Sequence, residues 1–311
     1  MSKLENNIGW CDATGNPVIG CRGCELGVHC YARNDTPARV LRAGSWPGMN
    51  GRKVETFGPG SERVPTQKGL GELETLNYLC ICDKCHTTWP FSLIETSYCH
   101  APVGNDVCKG ELRRIRYFAD SNSDWMDWPI EILAVALDQI RLAPNADVIL
   151  CTKWPENFKG RIIRVLEWME SQHPSDRNDH FYNWLRDWMG GRPPVNIWLL
   201  TSITTAKTLR RSENLLKIPA AVHSLSMEPL WENIVIPPEI ITRLKWIIVG
   251  GESGSNRQDC GEEALASIAM QAVAAGVPVY VKQDCAAKPG QQGRIPDNIW
   301  VLKQFPAAKP Q

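Results

Sequence analysis

Cys21, Cys24 and Cys30 stand close together near the start of the chain, in Gly20-Cys21-Arg22-Gly23-Cys24 and His29-Cys30-Tyr31-Ala32. Three thiolates leave one corner of a metal site unfilled. A structural zinc closes its shell with four protein ligands, whereas an Fe–S cluster on three cysteines keeps one iron free for a small molecule. Asn16-Pro17 and the nearby glycines suit a chain that folds back around a metal. Two readings of the trio follow: an Fe–S cluster, or a structural zinc completed by Cys11 or His29.

A second group follows, Cys80-Ile81-Cys82-Asp83-Lys84-Cys85, with Cys99 and Cys108 further on. Cys82 and Cys85 form C-x2-C, and Cys99 and Cys108 complete four thiolates, as in two knuckle-like turns around zinc. Cys80 and His100 are substitutes for one of the four, and an auxiliary Fe–S cluster or no metal are the competing readings. So small a module has too few apolar residues for its own core and depends on its metal to fold. Cys11, Cys151, Cys260 and Cys285 are scattered and read as buried small hydrophobes.

The chain has 311 residues, enough for one large α/β domain with an insertion. Lys+Arg and Asp+Glu are both 34, so no global basic field argues for non-specific nucleic-acid binding. No apolar signal core opens the sequence, and no run approaches the ~18 apolar residues of a membrane span. The expectation is a cytoplasmic protein with no membrane partner. Twelve cysteines in a reducing compartment then point to metal rather than disulfides.

Short Val/Ile-rich runs alternate with amphipathic stretches, the pattern of βα units around a parallel sheet. Strands are expected at 16–20, 53–57, 115–119, 147–152, 196–203, 221–227, 246–249 and 278–281. Helices are expected at 31–43, 129–142, 156–171, 180–189, 205–216 and 262–275, the last closed by Gly276. Trp168, Trp184 and Trp188 fall at helical spacing and read as packing residues. Roughly eight strands predict a TIM-like (β/α) barrel, with a doubly wound open sheet as the rival. Residues 1–71 supply its first part with the three-cysteine loop, 72–114 an inserted four-cysteine zinc-ribbon-like module, and 115–311 the remainder. In such a barrel Asp120, Lys153, Ser202, Glu228, Glu252 and Lys282, each beyond a strand, converge on one mouth. The plainer reading makes them helix caps, loop residues or a salt-bridge network.

Cys11-Asp12-Ala13-Thr14-Gly15-Asn16-Pro17-Val18-Ile19-Gly20-Cys21, then Cys30-Tyr31-Ala32, resembles the opening of the phage gene-product thirty-seven/sixty-eight family, a domain of unknown function. The likeness continues through Asp120-Ser121-Asn122-Ser123-Asp124 and Leu150-Cys151-Thr152-Lys153-Trp154-Pro155-Glu156. Ser226-Met227-Glu228-Pro229-Leu230, Val249-Gly250-Gly251-Glu252-Ser253-Gly254, Ala275-Gly276-Val277-Pro278 and Lys282-Gln283 follow in the family's order. Two departures stand out. The cysteines run C-x2-C-x5-C where the family has about C-x6-C-x2-C, and Gly15 replaces a Trp.

That family resembles radical S-adenosylmethionine (SAM) enzymes. The resemblance implies a [4Fe–4S] cluster on Cys21, Cys24 and Cys30 that binds SAM at its free iron. Reductive cleavage of SAM would then lead to hydrogen abstraction from a substrate, expected to be a nucleic-acid base or nucleotide undergoing modification or repair. Such chemistry implies an electron donor such as flavodoxin or ferredoxin, and the inserted module suggests a partner protein or substrate recognition. Within this scheme Asp120, Lys153, Glu228 and Lys282 are the expected catalytic groups. Tyr31, Ser121, Ser202, Gly250, Gly251 and Glu252 are the expected cofactor contacts, and Cys82, Cys85, Cys99 and Cys108 the Zn2+ ligands. Two other classes remain. One is a non-enzymatic, metal-stabilised barrel that binds nucleic acid or protein. The other is a metal-dependent hydrolase using Asp120 and Glu228, ranked last because no H-x-H or H-E-x-x-H occurs.

Overall fold

A computed structural model describes residues 8–19, 25–26, 64–65, 70–94, 98–104, 106–172 and 179–307. Its strands are β1 (Ala13–Thr14), β2 (Val18–Ile19), β3 (Val64–Pro65), β4 (Leu79–Cys82), β5 (Thr88–Pro90), β6 (Pro102–Val103) and β7 (Asp106–Val107). They continue with β8 (Leu112–Phe118), β9 (Ala146–Thr152), β10 (Ile197–Ser202), β11 (Val222–Met227), β12 (Trp246–Val249) and β13 (Val279–Val281). The helices are α1 (Glu72–Leu76), α2 (Ile130–Arg141), α3 (Phe158–Gln172), α4 (His180–Met189), α5 (Arg210–Leu215), α6 (Pro238–Ile241), α7 (Glu262–Ala274) and α8 (Asp297–Trp300).

From β8 to β13 the strands lie in chain order and run parallel, and β1 lies parallel to the second half of β8. The first half of β8 pairs instead with β4, antiparallel, which in turn pairs with β5. The result is a curled, open, mixed sheet, a half-barrel. The closed TIM-like barrel expected from the alternation does not form. Two local causes are visible. The strand expected at 16–20 is β2, which pairs with β3 in a separate two-stranded sheet. The β4–β5 hairpin occupies half of the β8 edge and runs antiparallel to it, where a closed barrel would continue with parallel strands. The strand expected at 53–57 and the helix at 31–43 lie outside the described residues.

Strand periodicity divides the core. Ile115, Tyr117, Val148, Leu150, Ile197 and Leu199 point to the convex side, against α2, α3 and α4. Leu225, Met227, Ile247, Val249, Val279 and Val281 continue that face against α7. Trp188 of α4 stacks on Trp125 at 6.3 Å, as its helical spacing suggested, while Trp168 and Trp184 pack at the margin. Gly276 ends α7 at φ +68°, a left-handed conformation that glycine adopts at low cost.

The concave side holds an aromatic cluster that, among the described residues, draws on no helix: Trp10, Phe118, Trp198 and Trp246, with Tyr280 and Phe305 at its edge. Four strand spacings separate β8 from β12, ~19 Å in a flat sheet. Yet Trp10 lies 4.8 Å from Phe118 and 6.0 Å from Trp246, ring to ring. Phe305 likewise meets the Arg116 guanidinium of β8 at 3.5 Å and the Tyr280 ring of β13 at 5.3 Å. Burial of these rings therefore requires the curl. The segment that carries Phe305 also hydrogen-bonds along β13, through Val281 N to Leu302 O and Gln304 N to Val279 O, and covers that sheet edge.

Asp12 fixes β1 to β8. Its carboxylate accepts from both terminal nitrogens of Arg113 (2.7 and 2.8 Å) and from Arg116 N (2.8 Å). Burial alone would raise this carboxyl, but the hydrogen bonds and charges of Arg113 and Arg116 outweigh it and bring it to about 2. Gly15 has its own reason: a Cβ there would collide with the Tyr117 hydroxyl, so a larger side chain does not fit beside this buried tyrosine.

A depressed carboxylate pKa stabilises the fold above the unfolded value of about 3.9 and ceases to do so as pH falls through the folded value. In urea unfolding, wild-type protein should lose roughly 2 kcal/mol more than Asp12→Asn between pH 5 and pH 2. Parallel pH profiles of the two would contradict the assignment.

Candidate functional site

The first candidate is a metal centre. The Sγ atoms of Cys82, Cys85, Cys99 and Cys108 all lie within 4.8 Å of one another. Cys82 is 3.6 Å from Cys108, and Cys85 is 3.4 Å from Cys99. A tetrahedral ion with metal–sulfur bonds of ~2.3 Å needs sulfurs ~3.8 Å apart, so the group suits one ion. The sequence produces this geometry locally. Cys82 ends β4, and the turn after it aims the amides of Lys84 (3.4 Å) and Cys85 (3.5 Å) at its sulfur. Ala101 N does the same for Cys99 at 3.4 Å.

His86 and Lys109, each following a ligand cysteine, adopt φ of 57° and 53°. Non-glycine residues seldom do so, and here the reversal brings the chain back beneath the sulfurs. Gly110 has no room for a side chain, because a Cβ would collide with Cys82 Sγ and come within 2.7 Å of Asp83 Oδ1. Cys80 turns its thiol to the carbonyls of Trp89 (3.6 Å) and Pro90 (3.4 Å), apart from the four, and His100 is exposed.

Charge argues for a cation as well. Burial pushes the Cys82 thiol up to about 12 and raises Cys99. At Cys85 hydrogen bonds with Thr87, Cys99 and Cys108 outweigh burial and bring the thiol down to about 6. Without a positive ion these sulfurs do not all ionise; with one they do.

The second candidate lies on the rim of the half-barrel. Inner-face positions at the carboxyl ends of the parallel strands are Asp120, Cys151, Ser202, Glu228, Gly250 and Lys282, in spatial order from β8 to β13. Cys151 N donates to Asp120 Oδ1 (3.2 Å), and its sulfur lies 3.4 Å from Ser202 Oγ. Lys282 Nζ is 2.6 Å from Glu228 Oε2, and Trp10 Nε1 donates to Glu228 Oε1 at 2.8 Å. The rim and the aromatic cluster thus share Trp10.

Burial, reinforced by the neighbouring Asp124, pushes Asp120 well above the usual carboxylate range. Among the described residues its buried Oδ2 has no hydrogen-bond partner, nor has Ser224 Oγ on the same face. Asp124 is fully used, accepting from Met126 N, Thr152 Oγ1 and Lys153 N at 3.1, 2.7 and 2.8 Å. The positive charge of Lys153 favours ionisation of Asp120, Asp124 and Glu25, which places it among them.

Other expected contacts have structural partners. Asn16 clamps the loop after β8 by donating to Ser121 Oγ (2.9 Å) and accepting from Asn122 N (2.7 Å). Glu252 accepts from Trp231 Nε1 (3.0 Å) and Gln258 N (3.1 Å). A Cβ on Gly251 would meet Cys285 Sγ and, at 2.5 Å, Cys285 N, so the close approach at this glycine is made by the protein's own chain. Cys21, Cys24, Cys30 and Tyr31 lie outside the described residues.

Glu25, next after Cys24, is described. Arg211 grips its carboxylate with two bonds of 2.8 Å, and Thr204 Oγ1 donates to it at 3.2 Å, beyond the end of β10. Sequence reasoning missed this ion pair, which links residues 186 positions apart with no local pattern. It also read Cys151 only as a small hydrophobe, although two-residue alternation from Asp147 and Ile149 puts it on the inner face.

Fold and site together define an α/β protein with a group of four cysteines that could hold a metal ion beside an open half-barrel. A model of the family described as Protein of unknown function (DUF5131) matches residues 5–298, and the chain belongs to that family. No curated protein and no solved structure matches it. Among the described residues no helix is long and apolar enough to cross a membrane.

Elemental analysis should find one metal equivalent fewer in Cys99→Ser than in wild type, and weaker retention against chelator in Gly110→Ala. Equal metal content in wild type and Cys99→Ser would contradict a four-sulfur centre.

Proposed function

We propose that the protein is a radical-SAM-like Fe–S enzyme whose cluster is carried by Cys21, Cys24 and Cys30. The observation that carries this reading is the anchoring of Glu25, the neighbour of Cys24, at the end of β10 beside the polar rim. The donor set fits: three thiolates hold a cluster and leave one iron for SAM. Bound there, the cluster supplies the electron for reductive cleavage of SAM.

The chain's own residues bind and orient. Lys153 and Lys282 offer positive charge to carboxylate or phosphate. Asp120, whose carboxyl burial pushes well above the usual carboxylate range, suits proton donation to an acceptor, and its Oδ2, without a partner among the described residues, gains one when ligand or water arrives. Glu228 sets the position of Lys282 and is itself set by Trp10. The aromatic cluster beneath the rim limits access of water from below. In this reading the Cys82 group holds zinc and stiffens the hairpin beside β8.

A nucleic-acid base or nucleotide is the proposed substrate, following the resemblance to a phage family and the presence of a zinc-ribbon-like module. A flavodoxin- or ferredoxin-type protein is the proposed electron donor.

The test is anaerobic reconstitution with iron and sulfide, then EPR of the reduced protein with and without SAM. A cluster signal that changes on adding SAM supports the proposal. Cys24→Ala should abolish it while metal on the Cys82 group stays bound. A colourless wild-type protein that holds only zinc after reconstitution would overturn the proposal.

A further inference from the structure

Two cysteines outside both candidate centres meet across the sheet end. Cys260, just before α7, and Cys285, after β13, are 25 positions apart, and their sulfurs lie 3.5 Å from each other. Both are free thiols; Cys285 is buried and Cys260 half-buried. A disulfide needs ~2.05 Å, so closure requires a movement of only ~1.5 Å.

The approach is built by a matched pair of Asp-Cys steps on one arginine. Arg294 bonds Asp259 through Nη1 and Nη2 at 2.9 and 2.8 Å. It bonds Asp284 through Nε and Nη2 at 2.9 and 3.0 Å. Each aspartate directly precedes one of the cysteines, so the guanidinium fork holds both chain segments at once. Arg294 is here a positioning residue.

The geometry points to a reversible dithiol–disulfide site at Cys260 and Cys285. The two thiols are also unlike. A hydrogen bond from the Cys260 thiol lowers the Cys285 thiol to about 7 against the effect of burial, aided by the backbone amides of Cys260 and Glu252. The same contact, with burial, raises Cys260. Cys285 is the thiol of the pair that ionises more readily, which gives it the attacking role and Cys260 the resolving one.

The oxidant is a hydroperoxide. The Cys285 thiolate attacks the peroxide oxygen, the O–O bond breaks, and sulfenic acid and hydroxide (or alkoxide) form. The Cys260 sulfur then displaces hydroxide from Cys285; the S–S bond forms and water leaves with the Cys260 proton. Two electrons pass from the thiol pair to the peroxide, and a dithiol reductant returns them. The cross-link ties the segment before α7 to the one after β13, and because Cys285 abuts Gly251 it does so beside the turn bearing Glu252.

The test treats intact wild-type protein with hydrogen peroxide, alkylates the remaining thiols, and maps the digest by mass spectrometry. The expected result is one cross-linked pair of peptides carrying Cys260 and Cys285, lost on treatment with dithiothreitol. In Cys260→Ser the link is absent and dimedone labels Cys285. Wild-type digests with both residues alkylated after peroxide, or with Cys285 as sulfinic acid and no cross-link, would overturn the proposal. The readout is independent of cluster content, so it stands or falls apart from the radical-SAM reading.

Discussion

The curl of the parallel sheet is the constraint on which the other features depend. A sheet of alternating faces has to bury one side against helices, and here the other side buries aromatic rings against one another. Trp10, outside any strand, closes that inner cluster by touching rings from β8 and β12 at once. The same side chain donates its indole N–H to Glu228, and Glu228 holds Lys282. Apolar packing and rim electrostatics are therefore joined in one residue. The Asp12 ion pairs, at the β1–β8 junction, hold the strand that brings Trp10 into place.

Parallel strands in chain order also explain why residues as far apart in sequence as Asp120 and Lys282 share one rim. Every strand from β8 to β13 arrives at the same edge, so the residue that follows it on the inner face is delivered there without any long-range signal of its own. The metal centre obeys a different logic. Its four sulfurs come from two turns, and the surrounding module has a small apolar core of Cys80, Cys82, Cys99, Ala101 and Leu112, with Trp89, Phe91, Leu93 and Ile94 packed against it. Packing of that size does little to hold a fold alone, and an ion on the four sulfurs would gather the turns. Attachment of β4 to β8 then transmits the module's stiffness to the main sheet.

Much of this was legible in the residues. The adjacent apolar pairs Ile149-Leu150 and Trp246-Ile247, one residue on each face, mark strands buried on both sides, and α4 begins and ends at His180 and Met189 as its pattern implies. The C-x2-C of Cys82 and Cys85 with Cys99 and Cys108 announced four gathered sulfurs. Closure of the barrel was not legible, because periodicity identifies strands but says nothing of how the last meets the first. The strand expected at 16–20 reads as the first of the barrel, whereas the pairing with β8 is made by 13–14. The partners of the rim were hidden for the same reason: Glu25 with Arg211, Trp10 with Glu228 and Arg294 with its two aspartates are contacts between distant segments. Gly251 misled differently, since a glycine turn after a strand looks like room for a ligand, and here it is room for Cys285.

The central claim is that the carboxyl-end rim, with the chain beside Glu25, receives the small-molecule ligand. Hydrogen exchange of the anaerobically reconstituted protein, with and without SAM, tests it most directly. The account predicts slower exchange in peptides covering 120–124, 151–154, 202–204 and 250–252, with the Cys82 module unchanged. Protection confined to that module, or no protection at the rim when SAM is saturating, would contradict it.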